Sequence, residues 1–354
     1  MQTQEKSRPV TAAQLAKRLQ LSRTTVSFVL NGKAEKCRIP AATVERVQRE
    51  AARMHYRPNS IARQLAGKRS NAVGVLINTQ AIPDARLIQQ MEMLAAERGI
   101  RFIVGHAVGT PEQVEEYLED YYARGVDAVI ALFHNYPTHA ETVASELARF
   151  KHVVYYEKPS GPVGNDACYV EADFYEVGRL GVQHLIDRGK RRIALLLSDL
   201  LFPFAQARLQ AYKDVLEAAG RQFDNRLTWG MDQRTKIQWW EPFTSDMALR
   251  AVEDLVVKEG ADGIVVVDDA PAAQIILALN ERGFRVPEDV AVVGCNDWHF
   301  TTLIRPQLTS INLKTDAIAK AMIDMLFEML DHGSVPEDRR AVVIAPELVV
   351  RNST

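Results

Sequence analysis

Cysteine is scarce in this chain: Cys37, Cys168 and Cys295 stand far apart, with no Cys-x-x-Cys pair and no neighbouring histidine cluster. Isolated thiols exclude a disulfide framework and a zinc site, and they suit a reducing compartment. No apolar run reaches the roughly 20 residues that a membrane helix needs. The polar, charged start from Met1 to Pro9 does not read as a secretory leader. A cytoplasmic location without membrane contact is therefore expected. Also missing are a P-loop, a Gly-x-Gly-x-x-Gly after a strand, a Gly-x-Ser-x-Gly elbow and a His-Glu-x-x-His helix. His134 and His139 are five residues apart, a poor spacing for one helix face, and no thiol joins them. Neither enzyme activity nor a metal or other cofactor is expected.

What is present is a charge asymmetry that the net value of -2 conceals. Residues 1–70 hold 15 of the 43 lysines and arginines but only 4 of the 45 acids, a net of +11. The remainder, 71–354, carries 28 basic and 41 acidic residues, a net of -13. A polyanion is attracted by the first segment and repelled by the second. Charge alone fits a membrane-surface or RNA-binding arm equally well. At 354 residues the chain fits two or three compact units.

The first segment reads as helices only. Thr11 caps a helix with Ala12, Leu15, Ala16 and Leu19 on one face, the spacing of a buried stripe. After a short turn at Gln20 and Leu21, Ser22 caps a second helix from Arg23 to Asn31. Val26, Val29 and Leu30 face inward there, with Arg23, Thr24, Ser27 and Phe28 outward. A polar loop, Gly32 to Arg38, precedes a third helix opened by Pro40, with Val44, Val47, Ala51 and Met54 inward. Pro58 stops it. The stretch Asn59 to Gly67 leads to polar Lys68-Arg69-Ser70-Asn71, which reads as a hinge.

From Ala72 the pattern alternates apolar runs with amphipathic helices, predicting parallel sheets covered on both faces. The expected strands are Ala72–Ile77, Phe102–Val104, Ala128–Leu132, Val153–Tyr155, Ile193–Leu197, Gly263–Val267, Val290–Val293 and Val342–Val343. Glycines at 99, 125, 189, 220, 260 and 283 each follow a helical stretch, as left-handed caps do. The run is long enough for two lobes, divided near 158–168, where Pro159, Gly161, Pro162 and Gly164 cluster. Three divisions result: 1–57 as a helix-turn-helix domain, 58–71 as hinge helix and linker, and 72–354 as a two-lobed core.

Two short helices joined by a tight turn set the second into a major groove, its first residues against base edges. Arg23 has the fork for a bidentate guanine contact, and Thr24 meets a base edge or thymine methyl. The hydroxyls of Ser22, Thr25 and Ser27 suit phosphate oxygens, which position a helix without reading sequence. The same pattern, taken alone, also fits a generic three-helix core.

Here the segment resembles the lactose-repressor/galactose-repressor family of transcriptional regulators. The resemblance is carried by Thr25-Val26-Ser27, Asn31-Gly32 and then Tyr56-Arg57-Pro58-Asn59-Ser60-Ile61-Ala62-Arg63-Gln64-Leu65-Ala66-Gly67. The chain departs at Phe28, where the family often has arginine. Its loop from Lys33 to Arg38 is also longer than in the lactose repressor, handing phosphate contacts to Lys36 and Arg38. The resemblance implies DNA contacts from Thr11, Asn31, Tyr56, Asn59 and Lys68 as well. It implies that 59–66 becomes helical when two hinges pair on DNA, with Leu65 wedged into the minor groove and Ala62 small enough for close approach. The plainer reading of Leu65 is a core leucine at helical spacing.

The similarity continues through Val170-Glu171-Ala172-Asp173, Gly189-Lys190-Arg191-Arg192-Ile193-Ala194, Val267-Asp268-Asp269 and Val292-Val293-Gly294-Cys295-Asn296-Asp297. Lys190 stands where the family has histidine, and Asp268 where it has asparagine. The resemblance places Asp269 and Arg179 in an effector cleft, against the plainer reading of a helix cap and a salt bridge. Asp173 belongs to the same signature. Ligands in open α/β sheets bind beyond the carboxyl ends of strands. That position adds Arg208, Phe133 and Asn135, together with 78–80, His134 and 198–199. Trp239-Trp240 reads as part of an insertion, either lining the cleft or anchoring a surface loop, and Trp298 reads as cleft or subunit contact.

The expected function is a homodimeric, sequence-specific DNA-binding regulator, of repressor type, on a pseudo-palindromic operator. Its effector, by family analogy, is a sugar or sugar derivative. Two alternatives stay open: control of the same regulator by a protein partner, and a solute-binding protein of a sugar importer, whose signal peptide and neutral head this sequence does not show.

Overall fold

The computed structural model describes residues 10–30, 32–54, 56, 69–77, 83–106, 111–132, 140–159, 167–197, 202–230 and 243–354. The chain divides into two compact units between Ser70 and Asn71. The first is helical. Helix α1 (Ala12–Leu19) opens with a capping box: Gln14 donates its backbone N–H to the Thr11 hydroxyl, and its side chain accepts from the Thr11 N–H. Gln20 turns left-handed (φ 55°), so that the chain reverses before α2 (Arg23–Leu30). Helix α3 (Ala41–Arg53) follows Pro40. The three close on Leu15, Ala16, Val26, Val29, Val47 and Ala51, all buried, with Val44, Met54 and Tyr56 packed against them. The inward set read from helical spacing therefore forms one small core. Phe28 is half-buried, less outward than its spacing suggests.

The second unit holds two six-stranded sheets. One has the order β11-β5-β4-β3-β1-β2 and the other β12-β10-β9-β8-β6-β7. In chain order the strands are β1 (Ala72–Ile77), β2 (Arg101–His106), β3 (Ala128–Ala131), β4 (Val153–Tyr156), β5 (Cys168–Ala172), β6 (Ile193–Leu196), β7 (Thr228–Trp229), β8 (Gly263–Val266), β9 (Ala291–Cys295), β10 (Thr309–Asn312), β11 (Ala341–Ile344) and β12 (Glu347–Val349). All pair in parallel except β10 with β12. Each expected strand appears within a few residues, and the six glycines all adopt positive φ, from 58° to 81°. Four strands escape prediction: β5, β7, β10 and β12 are short or alternate with polar residues. The longest helix among the described residues, Thr315–His332, was likewise not foreseen, although it buries a regular stripe from Ile318 to Leu330.

The division between lobes corrects the sequence reading. Strand β5 still pairs with β4, so the chain leaves the first lobe at Asp173 and not within 158–168. It returns between Asn312 and Thr315, and crosses again between Ile344 and Glu347. The Asp173 N–H donates to the Ile344 carbonyl at 3.0 Å, joining two crossings. All three connections leave from carboxyl ends of strands, so those ends of the two sheets face each other across the junction. Helix Phe174–Asp187 lies next to helix Pro203–Ala218, and Gly178 makes that approach possible: a Cβ there would sit 2.8 Å from the Arg208 carbonyl oxygen. We expect Gly178→Ala to lose about 1–3 kcal/mol from this overlap, despite alanine's better helix propensity. A urea unfolding midpoint unchanged or raised would show that the helices separate at no cost.

Candidate DNA-reading head and effector site

The Ser22 hydroxyl accepts from the Thr25 N–H at 2.9 Å and lies 2.8 Å from the Thr25 hydroxyl, which fixes the first turn of α2. Arg23 and Thr24 project from that turn fully exposed, while Ser27 is half-buried. Arg23, Lys33, Lys36 and Arg38 form no ion pair among the described residues, unlike Arg18, Arg49 and Arg53, which meet Glu50 or Glu45. The unpaired cations are the ones that keep their charge available to phosphate. Arg38 is exposed with φ 51°. Thr11 serves the capping box, and Tyr56 packs into the head's core, where burial pushes its phenol pKa up. Asn31, Asn59, Ala62, Leu65 and Lys68 lie outside the described residues, as do the wedge and hinge roles assigned to them.

In the core, Arg208 is the expected cleft residue with the most unusual surroundings. Its side chain is 6% exposed. Nη1 donates to the Val267 carbonyl at 3.0 Å and Nη2 to the Cys295 thiol at 3.5 Å. The guanidinium carbon lies 5.3 Å from the Phe174 ring centre and 5.9 Å from that of Phe204. Phe204 stacks on Phe202 at 5.3 Å. Nε, though buried, has no hydrogen-bond partner among the described residues, and neither does the indole nitrogen of Trp229. Buried donors without acceptors are rare in folded proteins, which makes Arg208 a candidate for holding a bound molecule.

Across from Arg208, Asp268 caps the helix Asp269–Glu281 through the Ala270 N–H at 2.9 Å and accepts a short bond from the Asn296 amide. Burial pushes the Asp268 carboxyl up, offset partly by those two bonds and by Arg208. Asp269 sits one residue further and has 0% exposure. Its oxygens accept from the Ser310 hydroxyl at 2.6 Å and the Trp298 N–H at 2.8 Å. Asp269 thus binds protein on both sides, whereas its half-buried neighbour Asp268 accepts from Asn296 and feels the Arg208 charge. Arg179 forms a bidentate pair with Glu176, both bonds 2.6 Å, and is half-exposed. Asp173 caps its helix through the Glu176 N–H at 2.9 Å. These are the plainer roles that the sequence left open for both. Phe133, Asn135, 78–80, His134, 198–199 and Trp239-Trp240 lie outside the described residues.

Sequence reasoning passed over Asn296, Cys295, Phe174 and Phe204. Asn296 and Asp268 each follow closely on the end of a strand, β9 and β8, so the rule of carboxyl ends was enough to find them. No local pattern marks Phe174 and Phe204, which meet Arg208 only through the packing of two helices.

Comparison with known proteins extends over the whole chain. The regulator CelR of Thermobifida fusca, of helix-turn-helix type, is 29% identical over 359 residues, covering 99% of both chains. The repressor PurR of Pasteurella multocida is 25% identical over 345 residues, covering 97% of this chain and 98% of its own. The head and the core are thus matched together, in one order. Over its whole length the chain is similar to transcriptional regulators of the lactose-repressor/galactose-repressor family. Residues 182–354 of this regulator match the periplasmic binding protein-like domain. A solved complex of CelR with cellobiose aligns at a TM-score of 0.69, with 26% identity over 98% of this chain and 100% of that one. The lac repressor dimer bound to operator and an anti-inducer shares the fold at 0.78, with 23% identity over 98% and 99%. These relatives are regulators, not enzymes. The regulator therefore pairs a DNA-binding head with an effector-binding core. Among the described residues no helix is long and apolar enough to cross a membrane.

Proposed function

We propose that this regulator represses transcription as a homodimer on a pseudo-palindromic operator, and that a carbohydrate held by Arg208 gates it. The buried, unpartnered Arg208 Nε against Phe174 and Phe204 carries this reading. Sugars present rings of hydroxyls that accept and donate in one plane, with an apolar face for aromatic side chains. Asp268 and Asn296 supply the facing polar groups, and the cellobiose complex of a relative points to the same ligand class. Exposed Met93, Leu277 and Leu303 (61%, 62% and 70%) provide apolar surface for a second copy.

Selection of bound duplexes from a random pool, with and without added mono- and disaccharides, tests the whole reading. It should return symmetric sites with half-sites about 10 bp apart, and one sugar should change their retention. Purine bases form the counter-arm: a response to guanine or hypoxanthine alone rejects the carbohydrate. Arg23→Ala should relax one base pair per half-site, at ~1–3 kcal/mol each. Uniform weakening on every sequence would make Arg23 a phosphate contact instead.

A further inference from the structure

At the amino ends of β6 and β7, away from the strand ends that hold Arg208, the second lobe has a cavity of about 410 Å³. Four arginines line it: Arg191, Arg192, Arg221 and Arg226. Two carboxylates pair with them. Asp224 meets Arg226 at 2.8 Å, but the other pairs are long: Arg226–Glu259 3.3 Å, Arg192–Glu259 3.5 Å and Arg192–Asp224 3.8 Å. Arg221 spends its Nη1 on the neutral carbonyls of Lys190 and Arg191, at 2.9 and 3.3 Å. Arg191 has no side-chain partner among the described residues. A third acid, Asp262, is turned to the backbone N–H groups of Arg191 and Arg192. One wall is aromatic: Phe223 is 37% exposed, sits edge-on to Tyr212 at 6.1 Å, and carries the Lys213 ammonium 4.8 Å from its ring centre.

We propose that this cavity binds a phosphorylated small molecule. Guanidinium forks match phosphate oxygens two at a time, and such charge-assisted bonds are stronger than the long, solvent-exposed pairs they would replace. Its volume falls within the span of metabolite sites, roughly 300–1,000 Å³. Phe223 offers the ester's organic part an apolar face. A strand of four residues, about 13 Å long, separates this site from Arg208, so the two are distinct places in the lobe.

Titration calorimetry on the full-length Arg208→Ala variant, whose effector site is disabled, tests the assignment with inorganic pyrophosphate against free glucose. Pyrophosphate should bind, glucose should not, and adding Arg191→Glu should weaken pyrophosphate by ~10-fold or more. No pyrophosphate binding at millimolar concentration, or binding indifferent to Arg191→Glu, overturns it. Because the carbohydrate response is read on the protein with Arg208 intact, its failure and the failure of this site are told apart.

Discussion

Raising the pH from 5 to 9 should destabilise the core of this regulator, and Asp269→Asn should remove most of that loss. Asp269 is fully buried; Asp268 and Asp297 are its charged neighbours, and the latter already pairs with Arg351 at 2.6 Å. Burial, more than any other cause, pushes its carboxyl up to about 8, against which the Ser310 and Trp298 bonds pull only part of the way back. The native state therefore holds this proton more tightly than the unfolded chain. The stabilisation is complete below the ordinary carboxylate pKa and is lost as pH climbs through about 8. Its ceiling is roughly 5 kcal/mol. Asparagine keeps an oxygen for the Trp298 N–H and an amide for Ser310, and it never ionises. Alanine keeps neither and opens a cavity, so Asp269→Ala should cost ~3–4 kcal/mol even at pH 5. Thermal unfolding of the three proteins at both pH values decides the matter. If wild type and Asp269→Asn keep the same difference in midpoint at pH 5 and pH 9, the carboxyl does not titrate in this range. Gly294 belongs to this arrangement: a Cβ there would lie 2.2 Å from the Asp269 oxygen.

Arg208→Ala should abolish the effector response while operator binding without effector persists. The side chain is buried, so each of its charged hydrogen bonds to a ligand is worth ~1.5–3 kcal/mol, and losing two weakens binding by a hundredfold or more. Arg208→Lys retains the charge but not the planar fork between Phe174 and Phe204, and should fall between the two. Calorimetry with the responding sugar measures both, and circular dichroism checks the fold. An Arg208→Ala protein that binds the sugar as tightly as wild type removes this residue from the site. A loss of operator binding in the same variant would make Arg208 a structural strut.

The helical head was legible almost residue by residue. Its helices are short and locally capped by Thr11 and Ser22, and they are striped at a single period, so local chemistry and tertiary packing agree. The core's strands were legible where both faces are buried, as in Gly263–Val266, since continuous apolar runs then leave no alternative. They were illegible in β5, where Tyr169 and Glu171 interrupt the run, and in the two-residue β7. The first lobe's limit was misplaced because proline and glycine mark a loop, and a loop does not say on which side of it the next strand pairs.

For the proposed effector site, the sequence alone did not separate the roles of two adjacent carboxylates. Asp268 and Asp269 are adjacent, both acidic and both at a helix start, and only the family resemblance favours Asp269. Their backbone directions point one to the Asn296 amide beside Arg208 and the other to Ser310 and the Trp298 N–H.

Charge separation, helix-turn-helix spacing and strand–helix alternation are local or summed properties, so the order of residues alone gave a basic helical head on a two-lobed α/β core, and the family resemblance made the head a DNA reader. Which carboxylate turns to Asn296, which rings lie near Arg208, and where the chain changes lobes depend on contacts between residues tens to hundreds of positions apart. Those contacts come into being only when the sheets and helices pack, and that packing made the choice.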